Sequence, residues 1–169
     1  METLQTIQTR RSIKKYTSER ISVNKIEAIL KAAMYAPSAR NYQPWHFIVL
    51  EERRDIDQIS KINTHAEMML QAPLVIIICG DTKLETNIEN LVMGCSAATQ
   101  NALLAIHELG LGGIWVSIYP MKDIVDEVKK FYGLPENILP ISAIAIGVPN
   151  EIKESEDRFH KEKIHYHRW

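Results

Sequence analysis

Residues Leu74-Val75-Ile76-Ile77-Ile78-Cys79 form an apolar run without a polar residue at either set of alternate positions. Successive side chains of a strand point to opposite faces, so a strand apolar at every position is covered on both sides and belongs at the centre of a sheet. We therefore expect a central strand over residues 72–79, closed by Gly80-Asp81. The run is also far too short to cross a bilayer. Downstream, residues 85–109 carry a helical and unusually apolar pattern. Its small residues Gly94, Cys95, Ser96, Ala97, Ala98, Ala102 and Ala105 allow another helix to approach closely. Such a helix belongs at the centre of a fold or at a subunit interface.

Upstream of the central strand, residues 55–62 read as a short amphipathic helix and residues 46–50 as a strand. Leu4 and Ile7 mark a first helix ending near Arg10. Ser22 is the expected N-cap of a helix that carries Val23, Ile26, Ile29, Leu30 and Ala33 on one face and is ended by Pro37. Beyond the long helix, strands are expected over 112–118 and 141–147, with an amphipathic helix over 121–132 stopped by Gly133. Gly110-Leu111-Gly112-Gly113 follows a helix and precedes a strand, the reverse of the order in a dinucleotide-binding loop, and so reads as a helix C-cap and tight turn. Residues 150–169 are charged and aperiodic, as in an extended arm. The order of elements predicts one α+β domain over residues 1–169, with a mixed sheet flanked by helices.

Composition narrows the function classes. The chain has 169 residues, 46% hydrophobic and 24% charged, enough to bury a real core. Lys and Arg total 20 against 21 Asp and Glu, and a net charge of −1 gives no long-range attraction for nucleic acid or an anionic membrane. Neither is an expected partner. The N-terminal residues lack an apolar signal core, and a cytoplasmic protein is expected. Cys79 and Cys95 stand outside any Cys-x-x-Cys spacing and read as two reduced, buried thiols. His160, His165 and His167 lack an accompanying cysteine or carboxylate pattern, so no metal site is expected.

Two runs carry the chemistry. Arg10-Arg11-Ser12-Ile13-Lys14 packs three cations and a hydroxyl into five positions. That composition suits an organic phosphate and a ring that becomes anionic on reduction, because guanidinium forks grip phosphate oxygens bidentately. Taken alone it reads first as a solvated basic stretch, since short basic runs are common. Ala36-Pro37-Ser38-Ala39-Arg40-Asn41-Tyr42-Gln43-Pro44-Trp45 is a polar loop held by prolines. Alone, it reads as a helix-ending turn with Trp45 plugging the core. Together, at this spacing, the two runs resemble the flavin-binding signature of the nitroreductase superfamily. The resemblance continues through Leu109-Gly110-Leu111-Gly112-Gly113-Ile114-Trp115, through Leu134-Pro135 and Ala143-Ile144-Ala145-Ile146-Gly147-Val148-Pro149, and into Asp157-Arg158-Phe159 and Ile164-His165-Tyr166-His167-Arg168-Trp169. It covers essentially the whole chain.

The resemblance implies an intertwined homodimer with a long central interface helix, FMN in a groove built by both subunits, and a C-terminal arm embracing the partner. It implies that Arg10 and Ser12 meet the phosphate and ribityl chain, that Arg11 adds to the same pocket, and that Lys14 lies near the flavin N1 and O2 as an anion stabiliser. Pro37, Ser38, Ala39 and Asn41 then reach the flavin from the other subunit, with Gln43 and Trp45 fixing the loop. Residues 115–120, including Ser117 and Ile118, correspond to the loop over the pyrimidine and N5 side, where a backbone amide donates to N5. Many short members have glycine where Ser117 stands. Arg158 and Lys161 match late basic residues that complete the phosphate site. The implied activity is an FMN-dependent oxidoreductase passing hydride from NAD(P)H through flavin N5 to a nitroaromatic, quinone or related acceptor, without a side-chain acid or base. The alternative is a non-catalytic FMN-binding module for flavin sensing or delivery.

Overall fold

A computed structural model describes residues 2–63 and 65–169. The elements in chain order are α1 (Thr3–Thr9), α2 (Val23–Met34), β1 (Trp45–Leu50), α3 (Arg53–Ile62), β2 (Leu74–Asp81), α4 (Ile88–Glu108), β3 (Gly112–Ser117), α5 (Lys122–Tyr132) and β4 (Ile138–Gly147), with short 3-10 turns at Ala39–Asn41, Glu67–Gln71 and Lys161–Lys163.

Strand β2 lies inside the sheet, whose order is β1-β2-β4-β3, and no residue from Leu74 to Cys79 is more than 1% exposed. Its alternate side chains enter two separate cores. Val75, Ile77 and Cys79 pack with Ile56 and Ile59 of α3 and with Val125 and Val128 of α5. Leu74, Ile76 and Ile78 pack with Ile26 and Ile29 of α2 and with Leu91, Cys95 and Ala98 of α4. Three layers follow, because each face of an all-apolar strand needs its own helical cover. Each fully buried isoleucine contributes roughly 1.5–3 kcal/mol. Trp45 belongs to the α2–α4 core, as the structural reading of the indole expects.

The four strands pair antiparallel throughout, and the mixed character expected of the sheet is confined to one parallel bridge at its β3 edge, Ser12 to Gly113. Gly80 and Asp81, expected to close β2, continue it against Leu139 and Ile138, past an irregularity in the register at Ile78 and Cys79. Pro140 is tolerated in β4 because β3 pairs only as far as Ser142, so its missing N–H faces no strand on that side.

Two helix C-termini follow local chemistry closely, and the N-termini do so less. Gly110 (φ 73°) donates to His107 O at 3.0 Å and Leu111 donates to Ile106 O at 2.9 Å, the paired bonds of a Schellman C-cap. Gly133 (φ 64°) closes α5. Ser22 occupies the N-cap position of α2 but contributes only its carbonyl, to the amides of Lys25 and Ile26. A side-chain cap occurs instead at Asn87 of α4, which accepts from the amide of Asn90 at 2.8 Å. On α4, a Cβ at Gly94 would lie 3.5 Å from the Ser38 Cβ, so the Pro-Ser loop lies across the middle of this helix. Both cysteines are buried and unpaired by disulfide, with burial pushing each thiol up to about 12.

The arm of residues 150–169 is exposed, yet its first half is zipped to its own chain. Tyr16 bridges Pro149, Thr17 N donates to Val148 O at 2.9 Å, and Asn150 N donates to Lys15 O at 2.9 Å. The Arg11 guanidinium donates to the carbonyls of Glu154 and Glu156 at 3.1 and 3.3 Å. Further along, the arm exposes Phe159, Ile164, Tyr166 and Trp169.

Candidate flavin site

The basic run leaves α1 at Arg10 and passes along the edge of β3, where Ile13 N donates to Gly113 O at 3.2 Å. Two cavities flank it. The first, about 620 Å3, is lined by Ile7, Gln8, Thr9, Arg10 and Arg11 and, from the arm, by Ser155, Glu156, Asp157, Arg158 and Phe159. Burial, then the neighbouring charges of Arg158 and Arg11, hold the Arg10 guanidinium below its ordinary pKa. His107, whose Nε2 lies 2.8 Å from Thr9 Oγ1, is pushed down by burial and then by Arg10. Arg158 Nη2 lies 3.6 Å from Glu156 Oε2, so part of the cavity's positive charge is already balanced, and the guanidinium groups of Arg10 and Arg158 suit a phosphate.

The second cavity, about 390 Å3, lies at the other end of the run and is lined by Lys14, Asn63, His65, Met68, Ile114, Trp115, Val116, Ser117 and Met121. Its main-chain face follows from the ladder. Ile118 N and Tyr119 N both donate to Ile141 O, at 3.1 and 3.0 Å. Alternate residues of an antiparallel strand turn their polar groups to the same side, so Gly113, Trp115 and Ser117 turn theirs to the open edge. Gly113 O receives Ile13 N there, and Ser117 O receives Asn63 Nδ2 at 2.9 Å. The Trp115 amide and carbonyl and the Ser117 amide are thereby left facing outward between those two anchors.

Arg10 and Lys14 are four residues apart on an extended run, at most roughly 14 Å at ~3.5 Å per residue. An elongated ligand with a doubly charged phosphate at one end and a flat ring with polar edges at the other matches both cavities. The donor set therefore fits FMN.

The structure brings together some of the expected residues and separates others. Arg10, Arg11 and Arg158 share the first cavity, and Lys14 and Ser117 share the second. Ser12 lies between them at the bridge to Gly113. Arg11 is engaged with four carbonyls, those of Gln8, Arg10, Glu154 and Glu156. Ile118 is fully buried and its amide is committed to Ile141. Lys161 stands on the exposed turn Lys161–Lys163 and lines neither cavity. Pro37, Ser38, Ala39 and Asn41 also line neither, and Arg40, Asn41 and Gln43 adopt positive φ in a loop braced by a bond from Gln43 N to Ser38 Oγ at 2.9 Å. Sequence reasoning missed Asn63 and His65. A polar residue closing an amphipathic helix is an ordinary C-terminal signal, and nothing local marks a partner as distant as Ser117.

The profile of the Nitroreductase family matches residues 7–67 and 60–148. A Methanothermobacter thermautotrophicus protein named "Putative NADH dehydrogenase/NAD(P)H nitroreductase" is 40% identical over 169 residues, covering 100% of this chain and 88% of its own. A solved Parabacteroides distasonis structure of the same name superposes with a TM-score of 0.95 at 35% identity, covering 99% of this chain and 98% of its own. A Desulfovibrio desulfuricans structure, named as a putative nitroreductase in complex with FMN, superposes with a TM-score of 0.85 at 30% identity, covering 100% and 98%. The chain belongs to the Nitroreductase family.

Proposed function

We propose that this NAD(P)H-dependent FMN oxidoreductase passes hydride to a nitroaromatic, quinone or related acceptor. The carrying observation is the pair of cavities strung on one extended run, arginines at one end and Lys14 with the open edge of β3 at the other. FMN, when bound, supplies a ring that takes hydride from the nicotinamide and returns it to the acceptor. Arg10 and Arg158 hold the phosphate, with Ser12 beside the ribityl chain. Lys14 places positive charge where the ring gains negative charge, and the outward Ser117 amide donates to its N5 edge. Met68, Trp115 and Met121 give the second cavity an apolar wall for a flat substrate.

The working unit is a homodimer. Tyr35 at the end of α2 and Met93 on α4 are 77% and 62% exposed, and Leu4 and Ile7 of α1 are exposed as well. Between the three helices lies a hollow of about 510 Å3 lined in part by Ala32, Leu104 and Ala105. An apolar surface of this kind is characteristic of an interface. A second copy seated there receives the loop of Pro37, Ser38, Ala39 and Asn41, which lies across α4 and complements the partner's flavin site. Lys161 and the exposed apolar groups of the arm reach that partner.

The test is anaerobic mixing of the FMN-loaded protein with NADH and then NADPH while the flavin absorbance is followed. Bleaching is expected with at least one donor. Bound flavin that stays yellow with both would replace this reading with the non-catalytic module. Sedimentation of the same sample is expected to give twice the monomer mass, and Met93→Arg is expected to reduce both that mass and flavin retention.

A further inference from the structure

Lys14 belongs to a stretch, residues 12–17, that is anchored at its two ends by different elements. Ser12 and Ile13 are held by Gly113 of β3, and Tyr16 and Thr17 by Pro149 and Val148. Tyr16 Oη donates to the carbonyl of Ile13 at 2.5 Å and lies 3.2 Å from that of Ala145. Between these anchors the amides of Lys14 and Lys15 converge on one side-chain atom, Glu151 Oε1, at 2.5 and 3.2 Å. A carboxylate accepting two successive main-chain amides forms charge-assisted bonds and fixes both peptide planes. Lys153 completes the arrangement. Its Nζ lies 2.7 Å from Ser12 O and 3.7 Å from the same Glu151 oxygen, which orients the carboxylate and tethers the start of the stretch. These contacts of Glu151 are with the main chain of Lys14, a residue that lines the second cavity.

A lysine reaches its target on a flexible four-carbon stem, and electrostatic stabilisation depends on the charge being in place beforehand. We infer that Glu151 is a positioning residue for Lys14, fixing the backbone from which that ammonium meets the flavin ring. The inference rests on the FMN reading above and adds to it a residue that does not itself touch the cofactor.

The experiment compares affinities for oxidised FMN and, anaerobically, for reduced FMN, in the wild type and in Glu151→Ala, Glu151→Gln and Glu151→Asp. In the wild type the reduced-to-oxidised affinity ratio reports how well Lys14 is placed. Glu151→Ala is expected to lower that ratio roughly tenfold, the scale of a lost charge-assisted hydrogen bond. Glu151→Gln keeps an acceptor oxygen at the same reach and is expected to stay within about twofold, whereas Glu151→Asp is too short and follows the alanine variant. In a Lys14→Met background, Glu151→Ala is expected to change the ratio by less than about twofold, since its effect passes through the ammonium. An equal loss in both backgrounds, or an unchanged ratio in the alanine and aspartate variants, overturns the inference while leaving FMN binding intact. A wild type that retains no FMN overturns the FMN reading and this one with it. If circular dichroism finds the alanine variant unfolded, the aspartate variant carries the same expectation in both backgrounds.

Discussion

Asn63 Nδ2 donates to the carbonyl of Ser117 across 2.9 Å, joining the turn after α3 to the open end of β3. Asn63 is only 1% exposed, and its other groups are engaged as well. Its Oδ1 accepts from His65 N at 3.0 Å, its amide donates to Ile59 O at 3.1 Å, and its carbonyl accepts from Ala66 N at 2.8 Å. Replacing it by alanine leaves the Ser117 carbonyl without its donor and opens a polar void. Asn63→Ala is expected to lose about 1–3 kcal/mol in urea denaturation and to weaken FMN binding. Wild-type stability in that variant would show the contact to be dispensable.

The arginines of the first cavity are expected to act on the phosphate and not on the ring. Arg10→Ala should weaken FMN binding roughly 10- to 100-fold, consistent with loss of a bidentate charged contact, and Arg158→Ala by a comparable or smaller factor. Riboflavin, which has no phosphate, should lose almost nothing in either variant. Lys161→Ala should have a smaller effect than Arg158→Ala, because Lys161 stands outside the cavity of its own chain. Equal losses for riboflavin and FMN would place the two arginines elsewhere in the site.

Gly112 packs directly against the basic run. A Cβ at this position would come within 2.8 Å of the Ile13 side chain, one residue from both Ser12 and Lys14. Gly112→Ala is expected to cost roughly 1–3 kcal/mol by overpacking, and to loosen FMN because Ile13 is displaced from β3. Gly110→Ala meets nothing within 4 Å but is strained by its φ of 73°, so it should lower stability without altering the FMN affinity of the folded protein. Thermal melting and fluorescence titration of the two variants separate the effects.

Acid should remove the charge assistance from the bonds at Glu151, although the protonated carboxyl keeps an acceptor oxygen. The Lys14 amide is the first cause holding this carboxyl below its ordinary value of 4.5, assisted by the Lys15 amide and Lys153 and opposed by desolvation. A carboxyl more acidic in the folded than in the unfolded chain stabilises the fold above the unfolded value, and that contribution is lost as pH falls through the folded one. The melting temperature is therefore expected to decline below about pH 4.5, and Glu151→Gln to make the decline shallower. Asp81 and Glu108 are shifted in the same direction, so part of the slope should persist. An identical profile in wild type and variant would exclude Glu151 as a contributor.

How much could be read beforehand depended on the range of the interaction. Leu74 to Cys79 revealed a central strand because the cause, cover on both faces, is written in every residue of the run. Gly110 and Gly133 revealed helix ends because positive φ is a local demand. Ser22 marked the start of α2 correctly, but composition could not tell that its hydroxyl makes no bond to the helix. Arg11 was legible as one cation of a basic run, but not as the clasp on the carbonyls of Glu154 and Glu156. The guanidinium is the same in either role, and the distinction lies in where the arm returns.

The amino-acid sequence by itself determined the layers and the family of this protein, through apolar periodicity and two motifs whose spacing is a property of the chain. Only the tertiary structure decided which groups converge on the site. It drew Arg158 to Arg10, Glu151 to the amides of Lys14 and Lys15, and Asn63 to Ser117, and it turned the edge of β3 outward between its anchors. These are pairings between distant segments, fixed by how the sheet, its helices and the returning arm pack. No local pattern of residues encodes them.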